Sequence, residues 1–117
     1  MATAEFAVAI PAVVLVLVLA LSAVTTVLDQ VRCVDAARAA ARAVARGDDA
    51  GTARSLGGRL APPGARIDIR SGSQLVEVEV RGSPAPALRW LGEQGVPRGH
   101  AVAQREQVDD AGQGASP

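Results

Sequence analysis

The chain is predicted to fold as an α+β protein, with a long N-terminal membrane-spanning helix that runs on into an amphipathic helix and carries a small antiparallel hairpin or three-stranded sheet. Three observations lead there. Residues Phe6 to Val27 form an apolar run without a single charged side chain. Small apolar residues then recur at steps of three and four as far as Val44. Two later segments, 65–70 and 75–81, alternate apolar with charged residues. The first pattern reads as a membrane helix, the second as one helix face, and the third as half-buried strands.

The apolar run is 22 residues long. At about 1.5 Å of rise per residue it reaches roughly 33 Å, enough to cross a hydrocarbon core of about 30 Å with slight tilt. Glu5 stands at its mouth. An ionised carboxylate within lipid costs at least a few kcal/mol, which leaves two placements for this one. It rests in the headgroup layer near the positive end of the helix dipole, or it meets a cation once helices pack together. In the second case the simplest cation is the α-amino group of a neighbouring copy, and Glu5 acts as a register pin for assembly. Pro11 removes one backbone donor and crowds the preceding turn, so it is read as a bend near Ala7 or as a proline tolerated in the membrane.

Met1-Ala2-Thr3-Ala4-Glu5-Phe6, followed by Ala-Val-Ala-Ile-Pro, resembles the N-terminus of type IV pilin-like proteins, in particular the TadE-like minor pilins of tight-adherence (Flp) pilus systems. The resemblance covers about the first 47 residues. In that family a prepilin peptidase cuts after a small residue, usually Gly, and leaves Glu at the fifth mature position with an aromatic or bulky apolar residue at the sixth. The numbering of this chain already matches that count, as it would for a processed chain or for a gene start placed at a Met where the leader would end. The resemblance therefore implies a processed N-terminus, with Met1, Glu5 and Phe6 at the boundary that the peptidase and the assembly machinery recognise. It also implies other pilin-like subunits as partners through the N-terminal helix, and a cytoplasmic N-terminus with an extracytoplasmic head at the cell membrane or in a surface filament.

Composition narrows the remaining classes. The 117 residues include 24 Ala and 12 Arg without Lys, and the formal charge is zero. About 90 residues outside the span suffice for one small domain. The arginines are scattered and aromatics number only Phe6 and Trp90, so no nucleic-acid surface is indicated. Cys33 is alone and is read as a small apolar residue on a packed helix face, with an intermolecular disulfide as the other reading. His100 has no constellation around it and is read as a strand or surface residue. With no nucleophile and base set, metal spacing or phosphate loop, neither catalysis, a cofactor nor a small-molecule substrate is expected. A cleaved secretory signal ending near Ala20-Leu21-Ser22 fits less well, because a basic segment is missing, the run is too long and the helical pattern continues past it.

Residues 28–47 follow as an amphipathic extension. Val27, Val31, Cys33, Val34, Ala37, Ala40, Ala41 and Val44 share a face, with Asp29–Arg32 and Asp35–Arg38 as i,i+3 pairs opposite and Gly47 as the stop. The chain's own sheet is the expected cover for that face, another subunit the alternative. Within a head spanning 48–106, Asp48 or Asp49 is placed to cap a short helix over 50–60 that Gly51, Gly57 and Gly58 weaken, and Pro62-Pro63-Gly64 ends it. Strands over 65–70 and 75–81 flank the turn 71–74, with Ile67, Ile69, Val76, Val78 and Val80 inward and Asp68, Arg70, Glu77, Glu79 and Arg81 in water as cross-strand charge pairs. Leu88, Trp90 and Leu91 form an apolar knot in which Trp90 is expected to pack, with an anchor at the lipid interface or a contact with a partner as the other readings. Residues 100–105 suggest a short third strand, and 107–117 a disordered tail. Two functions remain: a structural subunit of a pilus-like filament, or a single-span protein with a small extracytoplasmic interaction domain and no filament role.

Overall fold

The computed structural model describes residues 2–105; Met1 and the tail expected over 107–117 lie outside the described residues. Helix α1 runs unbroken from Ala2 to Ala45, joining the apolar run and its amphipathic extension in one rod of 44 residues. Its length is about 66 Å at the usual rise. Helix α2 (Ala50–Leu60) folds back on it, and strands β1 (Arg66–Ser71), β2 (Leu75–Arg81) and β3 (Arg98–Gln104) form one antiparallel sheet in the order β1-β2-β3. A 3-10 segment, Pro86–Gly95, lies between β2 and β3 and is divided where Gly92 takes a φ of 61°. The arrangement is α+β, as the alternations predict.

Helix α1 stops through backbone bonding at Gly47. The Gly47 N–H donates to the Val44 carbonyl and the Asp48 N–H to the Ala43 carbonyl, each at 3.0 Å, closing two carbonyls that the helix end leaves free. Gly47 holds φ 104°, a conformation costly to any residue with a Cβ. Two residues later the Asp49 carboxylate accepts from the Thr52 N–H at 3.4 Å and caps α2. Gly57, expected to weaken α2, instead permits its approach. A Cβ there would stand 3.1 Å from the Ala36 carbonyl oxygen and 3.3 Å from Ala40 Cβ.

The core lies between the upper part of α1 and the inner face of the sheet. Cys33, Ala36, Ala37, Ala40, Ala41 and Val44 meet Val76, Val78 and Val80, all of them buried. Burial of each valine is worth about 1.5–3 kcal/mol, so β2, the central strand, carries most of the apolar gain. Opposite it β3 offers only Gly99, Ala101 and Ala103. At Gly99 a Cβ would fall 2.1 Å from the Cys33 carbonyl carbon, which means that helix backbone rests on strand backbone. The chain's own sheet is therefore the cover for the alanine face.

Four details differ from the sequence reading. The cover begins at Cys33, not at Val27: Val27 and Val31 are 62% and 53% exposed. Neither Asp29–Arg32 nor Asp35–Arg38 is among the ion pairs formed by the described residues. Trp90 is not packed but 73% exposed, because Leu88 alone of the three knot residues is buried. The outer face of the sheet pairs opposite charges across β1 and β2 at Arg70 and Glu77, as expected, but not at its other two positions. Its register sets Arg66, Arg81 and Arg98 in one row and Asp68 opposite Glu79 in the next.

Candidate functional site

The first turn of α1 contains Glu5, with Phe6 directly after it and Pro11 further along the same helix. Both Glu5 and Phe6 are exposed, and among the described residues no cation pairs with Glu5. Its carboxylate lies at the end of the helix where free N–H groups favour negative charge. Pro11 cannot donate to the Ala7 carbonyl, yet the helix continues through it. Just beyond, Ala12, Val13, Val16 and Leu17 line a shallow, almost wholly apolar groove on the helix surface.

This surface has no cover. Phe6, Val8, Ile10, Val13, Leu17, Leu21, Val24, Val27 and Leu28 are each more than half exposed, and the head buries none of the apolar run. A helix hydrophobic all round is at home in lipid or among other apolar helices. Helix α1 is thus long and apolar enough to cross a membrane near the N-terminus. Of the residues that the sequence brings forward, Glu5, Phe6 and Pro11 share one helix and meet no part of the head, while Met1 lies outside the described residues.

The head holds its chemistry elsewhere. Glu93, from the 3-10 segment, forms ion pairs with both Arg81 and Arg98, which relieves the repulsion in the arginine row. Gln30 of α1 accepts from the Arg98 N–H at 2.7 Å, and the Cys33 thiol donates to the Pro97 carbonyl at 3.8 Å. Burial pushes the Cys33 thiol up from its ordinary pKa, with the Asp29 charge adding to this and a backbone bond from Gly82 opposing it. A thiol so enclosed is a core side chain and is sealed from a partner's sulfur. His100 Nε2 lies 2.8 Å from Glu77 Oε1 on the outer face of the sheet. That bond, aided by the charges of His100 and Arg70, holds the Glu77 carboxyl below its ordinary range. Glu93 and Gln30 escaped the sequence reading because each acts over a distance that periodicity does not register. The one available signal was an uncharged amide, Gln30, between the lipid run and the alanine face.

No cluster of three or more His, Cys, Asp or Glu suited to a metal occurs among the described residues. Comparison with known proteins finds no matching family model and no matching solved structure. The chain is similar to a Mycobacterium tuberculosis (strain H37Rv) protein named Apoptosis inhibitor Rv3655c, at 46% identity over 76 residues. That alignment covers 65% of this chain and 60% of the relative, so the chain spans less than two thirds of the relative's length.

Proposed function

We propose that this protein is a structural subunit of the TadE-like minor pilin or pseudopilin kind, held in the cytoplasmic membrane by α1 and drawn through that helix into a tight-adherence type pilus or a related secretion filament. The observation that carries this reading is an apolar rod left bare along residues 6–27 with a single carboxylate at its start. Such a surface is stable in lipid and equally suited to a bundle of like helices. Transfer from one to the other is the essential step in building a helical filament from membrane-held subunits. In the bundle, Glu5 pairs with the α-amino group of a neighbouring copy and fixes the axial register. The N-terminus is cytoplasmic and processed by a prepilin peptidase, and the head is extracytoplasmic.

The test is Glu5→Ala. Losing one partner of a buried ion pair costs about 3–5 kcal/mol, or more than about a hundredfold in an association constant. The variant is expected to remain in the membrane fraction and to disappear from sheared filaments. Wild-type amounts in the filament fraction would remove the register-pin role and favour a single-span protein with an interaction domain.

A further inference from the structure

The connection between β2 and β3, residues 82–97, hangs from the end of the sheet nearest the apolar run. Two contacts fix that level: Gln30 with the Arg98 N–H, and Cys33 with the Pro97 carbonyl. Gln30 is three residues past Val27, a rise of roughly 4.5 Å. The headgroup layer on each side of a bilayer is about 5–7 Å thick, so a span ending at Val27 puts this edge of the head within or directly on it. The same edge presents Trp90, the chain's only Trp, 73% exposed on the 3-10 segment. Beside it in sequence is exposed Arg89, and the row Arg66, Arg81 and Arg98 marks this end of the sheet. Arg66, Arg81, Arg89 and Arg98 share this edge with two carboxylates: Glu93, which ties the 3-10 segment to Arg81 and Arg98, and Glu79, 3.8 Å from Arg81.

An indole on a braced segment, with Arg89 next to it in the chain and an apolar rod leaving just below, has the chemistry of a membrane interface: the ring's apolar body suits the upper acyl region, its N–H the wet layer, and guanidinium groups the lipid phosphates. We propose that Trp90 and the arginine-rich edge of the head dock on the headgroup layer of the bilayer that α1 crosses, holding the head down on the membrane. The proposal rests on residues 6–27 being the span. Its occupant is the lipid surface, favoured over a second copy by continuity with the span and by Arg66 and Arg89, which form no ion pair among the described residues and are left for phosphate.

Because Trp90 is the sole indole, its fluorescence in the full-length protein reports this contact directly. The protein is reconstituted in phosphatidylcholine–phosphatidylglycerol vesicles, with and without lipids brominated near the top of the acyl chains. Alkaline extraction of the same vesicles tests the span separately. The expected result is a protein that resists extraction, with Trp90 emission blue-shifted and mostly lost to the brominated lipid. If the protein resists extraction while Trp90 is quenched by aqueous iodide and not by bromine, the docking is overturned and the span stands. Protection from both quenchers places Trp90 against another protein copy and overturns the docking as well. Extraction by alkali overturns the span and the docking together.

Discussion

At the scale of single residues, Gly99 and Glu77 show the difference between contact and decoration. Gly99 lets α1 settle on β3, and its missing Cβ would overlap Cys33 backbone at 2.1 Å. Gly99→Ala is therefore expected to destabilise the head by about 1–3 kcal/mol, the usual cost of overpacking, seen as a lowered denaturant midpoint with membrane retention unchanged. Glu77 is exposed, and its bond to His100 holds its carboxyl below the ordinary value of 4.5. A depressed acid stabilises the fold above its unfolded pKa, and that contribution fades as pH falls through the folded one. Denaturation midpoints of the wild type and Glu77→Gln, measured from neutral to acid pH, should therefore differ above about 4.5 and converge below it.

At the scale of elements, α2 is held by close approach and capping instead of large side chains. Only Ala53 and Gly57 of α2 are buried. Gly57→Val introduces branches where 3.1 Å separates the Cβ position from the Ala36 carbonyl oxygen and 3.3 Å from Ile67 Cδ1. The expected outcome is α2 lifted from α1 at a cost of about 1–3 kcal/mol, observed as faster amide exchange over 50–60 while β2 stays protected. The 3-10 segment, in contrast, is held by buried Leu88 and by Glu93 to two arginines, and just after it the Pro97 carbonyl accepts from Cys33.

At the scale of the whole molecule, α1 belongs to two environments. Its lower part is bare, while its upper part, from Cys33, supplies half of the core. The boundary between them falls within α1 and not at a linker. A fragment starting at Asp29 retains every buried residue of the core. It is expected to unfold cooperatively in calorimetry and, lacking the apolar run, to be released from vesicles by alkaline extraction. A fragment starting at Asp48 lacks the helix half of the core and is expected to show no cooperative transition. Both outcomes follow from where burial begins.

Local pattern alone determined the apolar rod, its stop at Gly47, a cap at Asp48 or Asp49 and the first two strands, since periodicity, capping and turn chemistry act over a few neighbouring residues. The alternation of β2 also named Val76, Val78 and Val80 as inward before any sheet was seen, because side chains of a strand alternate whatever lies beside it. Register needed the tertiary structure: which arginines share a row, and which acid relieves them, depends on pairings between residues far apart in the chain. The same holds for Trp90, whose size argued for burial until the alanine face and three valines had filled the space between helix and sheet. Small side chains brought the two backbones together and left no volume for an indole, so the ring stayed outside.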